Sequence, residues 1–248
     1  LTKLADVKRA ILEIHDKHEF LDGIFINAGL GYAAKRVETE DGFDSHFQVN
    51  YLSQFMLTLN LLDLLKKSEN GGRIIFNVTR MGEIFWDDMQ MNKKWSYEDG
   101  IHQAMVAKRM FLATLHNLHR NMKGSKLAFI GFEISKTVWS NQLNIIPLYM
   151  KIMATLMKLF GAFISIEQCG EIITPLFTEN QEESLKKSGK FITWKKNEFI
   201  DIKEDFAVLN QEYQDAMCHG TVEYLLGSSS SSDVLSYVLR SANQVSSP

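Results

Sequence analysis

The sequence predicts an α/β fold in which a parallel sheet is flanked by helices. Apolar runs without polar alternation, as in residues 21–29 and 73–78, are typical of strands that are covered on both faces. Between such runs, apolar residues recur at three- and four-residue steps, which is the helical period. Strands that alternate with helices in this way favour right-handed crossovers and therefore parallel pairing.

The first elements follow from these patterns. Residues 1–20 carry apolar side chains at helical spacing with charges between them, and they predict an amphipathic helix. The strand at 21–29 ends in a turn of small residues, a long helix is predicted over 41–67, and a second strand over 73–78. Because the chain opens inside a helix and with leucine, we expect it to be processed or incomplete.

The same alternation continues in the second half of the chain. A helix is predicted over residues 99–121 and a third strand over 125–132. A capped helix over 165–179 and a short strand over 188–194 follow them. The sheet is therefore expected to gain strands along most of the sequence.

Composition indicates an ordinary folded protein. Hydrophobic residues make up 45% of the 248 residues and charged residues 23%. The net charge of −3 gives no reason to expect a nucleic-acid partner. Cys169 and Cys218 do not make a disulfide framework, so we expect an intracellular protein, cytoplasmic or peripheral on an organelle membrane. Residues 1–226 are expected to form the domain, and the serine-rich residues 227–248 a flexible tail with one short helix.

The most apolar part of the chain is residues 145–166, within an insertion at about 138–166. A membrane span needs ~20 apolar residues, but Pro147, Lys151 and Lys158 interrupt this segment. Three interpretations stay open: a lid-like helix packed over a pocket or partner, a helix lying in a membrane interface, and a span. Because a lysine near the bilayer centre costs ~2.5–3.5 kcal/mol, we expect one of the first two.

Short motifs occur at related positions in these elements. Asn27, Ala28 and Gly29 follow the first strand, Asn50 lies inside the next helix, and Lys108 lies on the helix after the second strand. With this order of elements, the chain resembles the short-chain dehydrogenase/reductase family, most closely its retinol-dehydrogenase-like and keto-steroid-reductase-like members. The resemblance covers most of residues 1–205 and implies a Rossmann-like fold.

The resemblance also implies a reaction. In the family, a hydride moves between the nicotinamide of NAD or NADP and a carbonyl carbon. A tyrosine transfers the proton, and a lysine four residues later lowers the tyrosine pKa from ~10. A serine orients the carbonyl. The residues that match the family's cofactor contacts are Asn27, Ala28, Gly29, Lys108 and Thr137.

This chain departs from the family pattern at its catalytic centre. Asn50 matches the asparagine that holds a water in the proton relay, and Lys108 matches the lysine. Ala104, however, occupies the tyrosine position. Arg80 aligns with the catalytic serine, although a shift of one residue would place Thr79 there. The acid and the serine are therefore both expected to be absent.

The neighbourhood of Ala104 offers few substitutes for the tyrosine. Same-face neighbours on a helix lie three or four residues away, and among them only Lys108 can move a proton. His102 could reach the site only if the helix began after residue 103, and Tyr97 is farther away. Lys108 itself either holds a nucleotide ribose or is a solvated helix lysine.

The family's dinucleotide site depends on a glycine-rich turn whose following helix binds the pyrophosphate. No such turn occurs in this sequence, and the family's Pro-Gly after the sixth strand is replaced by Phe132 and Glu133. By resemblance, Leu1 falls just after the third strand, so the N-terminal strands are expected to be missing from this chain. Either the chain is a fragment, or a partner covers the edge of its sheet.

Two histidine pairs have a spacing that could place two imidazoles on one metal ion. They are His15 with His18, and His116 with His119. Neither pair has an evident third ligand, so we expect ordinary helix surfaces and no metal site.

Two functional hypotheses remain. The first is a degenerate family member, a pseudoenzyme with little or no redox activity, that serves as a binding or structural component. It would bind NAD, NADP or no cofactor. The alternative is an NAD(P)-dependent oxidoreductase of a lipophilic carbonyl or alcohol, retinoid- or steroid-like, with an atypical acid. Expected partners are a lipophilic small molecule, a second copy or another protein at helices 43–66 and 103–120, and a membrane surface at 145–166.

Overall fold

The computed structural model describes residues 1–226, without the side chains of residues 141, 142 and 226. The segment 227–248, predicted as a flexible tail, lies outside the described residues. Within them the helices are α1 (Leu4–Lys17), α2 (Ser45–Phe47), α3 (Ser53–Lys66), α4 (Tyr97–Arg120), α5 (Leu148–Leu159), α6 (Ile166–Thr178), α7 (Gln181–Lys187), α8 (Phe206–Leu209) and α9 (Gln211–Leu226). The strands are β1 (Gly23–Ile26), β2 (Arg73–Asn77), β3 (Ala128–Glu133), β4 (Thr137–Val138), β5 (Phe163–Ile164), β6 (Phe191–Lys195) and β7 (Glu198–Ile202).

A five-stranded sheet in the order β1, β2, β3, β6, β7 forms the centre of the domain. Its first four strands pair in parallel, with helices on both faces, which confirms the predicted α/β fold. Within the described residues, β1 pairs on one side only, with β2. The fifth strand was not predicted: β7 runs antiparallel to β6 after a turn at Lys196 and Asn197, whose φ angles are 52° and 63°. A Lys-Asn pair is a weaker hairpin signal than Asn-Gly, so the pattern did not reveal β7.

Helices bury both faces of this sheet. Phe76 of β2 packs with Phe55 of α3 and Phe111 of α4. Ile75, the residue before it, points to the opposite face and packs with Leu176 of α6. Successive strand residues point to opposite faces, so two-sided burial requires the continuous apolar run that the sequence has.

The helix predicted over residues 41–67 is not regular throughout. It runs as α2, then a π-helical turn over Gln48–Leu52, and then α3. The carboxylate of Asp44 caps its start by accepting two backbone N–H groups at 3.0 and 3.1 Å. Single π-turns inside helices are frequent at functional sites, and this turn contains Asn50.

Two further packing contacts complete the domain. Val7 and Ile11 of α1 pack with Met56 of α3, and α8 and α9 pack along α4. The apolar stripes of helices 43–66 and 103–120 therefore contact other helices of the same chain. Self-association through these helices stays a prediction.

The insertion at 138–166 forms α5 between β4 and β5, which pair as a separate two-stranded parallel sheet. The helix α5 has 12 residues. Within residues 1–226, no helix combines the length and the apolar character that crossing a bilayer requires.

A buried ion pair joins α4 to the segment between β7 and α8. Arg109 is 0% exposed and donates from Nη1 to the carboxylate of Glu204, which is also buried. The same nitrogen lies 3.4 Å from Oδ2 of Asp205. Burial raises the pKa of Glu204, and the charge of Arg109 opposes that rise.

Removing one partner of this buried pair should cost more stability than removing a surface charge. We expect Glu204→Ala to lower the free energy of unfolding by about 3–5 kcal/mol, because Arg109 is left as an unpaired buried charge. The matched variant Asp205→Ala removes a carboxylate whose side chain is 62% exposed, and should cost less than about 1 kcal/mol. Urea unfolding measures both losses, and equal losses would contradict this role of the buried pair.

Candidate functional site

The carboxyl ends of the parallel strands form one edge of the sheet, which is where open α/β sheets bind ligands. Asn77 ends β2 and donates from Nδ2 to Oδ1 of Asn27, which follows β1, at 2.8 Å. Thr79 and Arg80 follow β2 by two and three residues. The structure thus brings the predicted residues of two separate motifs to this edge.

Lys108 approaches the edge from α4. Its side chain is 1% exposed, and its Nζ donates to the backbone carbonyl of Asn77 at 3.1 Å. Burial lowers the pKa of Lys108 to about 7. The interpretation of Lys108 as a solvated helix lysine is therefore wrong, because its ammonium is enclosed by the domain.

Ala104 lies one helical turn before Lys108 and is 0% exposed. Its side chain belongs to the apolar core on the α3 and α4 side of the sheet. Gly100 and Ala107, on the same helical face, are also buried and carry no titratable group. At the position that the resemblance assigns to the family's tyrosine, this chain therefore has packed apolar surface.

Neither proposed substitute for the tyrosine has favourable properties. The helix α4 begins at Tyr97, so His102 lies inside it, about 200° around the helix from Ala104. Tyr97 packs edge-on against Tyr32, and its hydroxyl donates to Glu98 at 3.0 Å. Burial first, and then that hydrogen bond, raise the pKa of Tyr97. An acid–base tyrosine needs the opposite shift at neutral pH.

The two other departures from the family pattern contact each other. Nε of Arg80, after β2, donates to Oε2 of Glu133, the last residue of β3, at 2.8 Å. Thr79, the other candidate for the serine position, is half-buried, and its Oγ1 accepts from the N–H of Met81 at 3.3 Å. An ion pair thus lies across the strand ends where a carbonyl-orienting serine is expected.

Asn50 has a different contact from the one implied by the family. Its Oδ1 accepts from the N–H of Leu30 at 2.6 Å, and its Nδ2 donates to the carbonyl of Leu30 at 3.1 Å. The side chain is fully buried. A Cβ at Gly29 would lie 3.0 Å from Oδ1 of Asn50, so a glycine is favoured there by this close approach. Asn50 therefore holds the loop after the Asn27–Gly29 turn against the π-helical turn.

The residues predicted to contact a nicotinamide cofactor differ in accessibility. Asn27, Ala28 and Thr137 are exposed, and Thr137 lies in β4, opposite Phe163 of β5. Lys108 is the only cation in the predicted set, and it is enclosed and bonded to the chain's own carbonyl. Asn27, Ala28 and Thr137 are thus open to a ligand, whereas the ammonium of Lys108 is held by the carbonyl of Asn77.

The histidine pairs differ from the predicted helix surface in one respect. His119 is buried, and its ring lies 5.1 Å from that of Phe129, centroid to centroid. His116 is half-buried, with Nδ1 3.1 Å from Oγ of Ser188. Among residues 1–226, no group of three or more His, Cys, Asp and Glu side chains is placed to hold a metal ion.

Sequence reasoning missed Asn77 and did not foresee the contact that Glu133 makes. Asn77 links Lys108 to Asn27, and Glu133 pairs with Arg80. For Asn77 a signal was present, because it is the one polar side chain in the run after the first residue of β2. Nothing in the sequence indicated that Arg80 and Glu133 would meet.

Comparison with known proteins agrees with this architecture. Residues 1–89 match the family described as short chain dehydrogenase. Human polyprenol dehydrogenase is 31% identical over 124 residues, which are 48% of this chain and 37% of that protein. Human retinol dehydrogenase 14 is 28% identical over 129 residues, which are 51% of this chain and 37% of that protein. The aligned regions are thus little more than a third of these relatives.

A solved structure supports the fold alone. The crystal structure of an uncharacterized protein from Mycobacterium paratuberculosis matches with a TM-score of 0.58, at 18% identity, over 90% of this chain and 72% of that chain. The parallel sheet, the Asn-Ala-Gly turn and the sequence matches point to one conclusion. Over residues 1–89 the chain is similar to the short-chain dehydrogenase/reductase family, and the relatives it matches include retinol dehydrogenases.

Proposed function

We propose that this chain keeps the family fold without the family's proton transfer, and that it acts as a binding or structural component. The observation that carries the proposal is the buried Ala104 at the tyrosine position, with Lys108 as the one proton-carrying side chain on its helical face. General acid–base catalysis contributes typically ~10²–10⁴-fold to a rate. Loss of the acid alone therefore removes most of the expected turnover.

The Arg80–Glu133 ion pair supports the same proposal. A carbonyl oxygen is oriented in the family by a neutral hydroxyl, whereas here a guanidinium and a carboxylate occupy the strand ends. A substrate placed there would have to break or displace this pair. The site is thus better suited to holding the two strand ends together than to orienting a carbonyl.

The relatives indicate which ligand class to test first. Their names refer to retinol and polyprenol, both lipophilic isoprenoid alcohols. We propose that a molecule bound by this chain has that character. Turnover of the bound molecule is not part of the proposal.

The second candidate is an NAD(P)-dependent oxidoreductase of a lipophilic carbonyl or alcohol with Lys108 as the atypical acid. The pKa of Lys108 favours it, because a group with a pKa of about 7 can both donate and accept protons near neutral pH. Against it, the enclosed ammonium would first have to leave the carbonyl of Asn77.

Turnover assays distinguish the two candidates. We expect this chain to show no oxidation of NADH or NADPH with retinal or a polyprenal beyond that of a Lys108→Ala control. The same result is expected of a longer natural form that contains this chain. Steady turnover that Lys108→Ala abolishes, with a rate of reduction that falls above about pH 7, would establish the second candidate in place of the first.

Restoring the tyrosine tests whether the site has closed around Ala104. We expect Ala104→Tyr to lower the free energy of unfolding by about 1–3 kcal/mol, because a ring at a buried alanine overpacks the core. The matched variant Met105→Tyr changes the next, partly exposed residue and should cost less. Thermal and urea unfolding report the difference. An Ala104→Tyr protein that is as stable as the parent and gains turnover would show that only the tyrosine was missing.

The pKa of Lys108 makes stability depend on pH. Its pKa falls from 10.5 to about 7 on folding, so between these values the unfolded chain binds more protons than the folded one. Stability should therefore rise with pH, by about 2 kcal/mol between about pH 7 and about pH 9. We expect Lys108→Met to remove this rise and Lys94→Met, at an exposed site, to keep it. Urea unfolding at both pH values measures the rise in the free energy of unfolding for each variant. The same rise in both variants would contradict its assignment to Lys108.

A further inference from the structure

The helix α5 is attached to the domain by one narrow side. Ala154 is its one buried residue, whereas Leu159 and Phe160 are 78% and 88% exposed. The solvent-exposed apolar residues of α5 and of its C-terminal cap, Phe160, are named the α5 apolar face. They are Leu148, Tyr149, Ile152, Met153, Leu156, Met157, Leu159 and Phe160.

The α5 apolar face points away from the domain. At about 100° per residue, its members fall within an arc of about 180°, and the centre of that arc lies opposite Ala154. A lid over a cleft would turn this arc inward. In the structure the attached side carries Ala154, and the large apolar side chains lie on the outer side.

Between Glu133 and Glu167, which flank the insertion that contains α5, the charged side chains have one sign. From Ile134 to Ile166 the sequence contains Lys136, Lys151 and Lys158 and no carboxylate. Nζ of Lys136 donates to the carbonyl of Gly161 at 2.8 Å, and Nζ of Lys151 donates to that of Asn144 at 2.7 Å.

The third lysine is also held beside the helix. Nζ of Lys158 lies 4.0 Å from the ring centroid of Trp139. Around the helix, Lys151 and Lys158 fall between Ala154 and the edge of the α5 apolar face. The cations therefore lie on the domain side of the apolar arc, where they would meet lipid headgroups if that arc were inserted below them.

We infer that the α5 apolar face docks on an anionic lipid surface, with its apolar arc in the outer acyl region and its lysines at the headgroups. A 12-residue helix is about 18 Å long and lies in the plane of such a surface. Tyr149 and Trp139 supply the aromatic side chains that are enriched at membrane interfaces. Charge complementarity favours an anionic lipid surface over a protein partner, because lysine is depleted in protein interfaces. A second copy of α5 would also bring like charges together.

Vesicle flotation with the whole chain tests this inference, which does not rest on the proposed function. The probes are phosphatidylcholine vesicles with phosphatidylserine as minor component, and vesicles of phosphatidylcholine alone. We expect stronger binding to the first. The double variant Leu156→Ser/Phe160→Ser should weaken binding at least about tenfold, because two exposed apolar side chains no longer insert. Lys158→Gln should weaken binding about fivefold, and only on the anionic vesicles.

Matched controls guard against general surface effects. Phe206→Ser/Leu209→Ser removes the same two residue types from α8, where they are also exposed, and should leave binding unchanged. Lys94→Gln, at another exposed lysine, should do the same. Circular dichroism confirms that each variant is folded.

Three results would overturn the inference. One is the absence of binding to anionic vesicles by the folded parent chain. Another is binding that falls equally in the α5 and α8 variants. The third is a parent chain that self-associates through α5, as measured by light scattering, and binds no vesicles, since that would identify a second copy as the partner.

Discussion

Burial of β2 and β3 on both faces is the constraint on which the rest of the structure depends. A strand covered on two sides has to be apolar at each position, which confines polar groups to its end. Asn77, Thr79 and Arg80 therefore gather at one edge of the sheet, and α4 brings Lys108 to the same place. Two residues at these strand ends, Arg80 and Glu133, differ from the pattern that the family resemblance implies.

Most of the framework could be predicted because its signals are periodic. The long helices and the buried strands each repeat one pattern over many residues, and the Asn27–Gly29 turn marks where the first strand ends. The π-helical turn and β7 could not be predicted, since each depends on a local backbone conformation that its residue types do not strongly favour. At the site, the identity of Ala104 was readable from the sequence. The enclosure of Lys108 was not, because burial of a helix residue depends on what the rest of the chain packs over it.

Arg80 and Glu133 differ separately from the expected family pattern, yet in the structure they form a single ion pair. They are 53 residues apart in the sequence, and by resemblance they align with, or lie next to, a serine and a glycine of the family. In space each supplies the charge that the other needs. Either charged residue alone would leave an unpaired charge at the strand ends, whereas the two together form a pair whose net charge is zero.

The Arg109–Glu204 pair has a consequence for where this domain ends. Its partners are 95 residues apart, and the acidic one lies beyond the last strand of the sheet. A protease that cut the chain between Ile202 and Glu204 would leave every described strand intact, yet the enclosed guanidinium and its counterion would then be on different fragments. It would also detach α9, which packs along α4. We therefore expect the C-terminal helices to belong to the folding unit, and a chain trimmed to its sheet to be unstable.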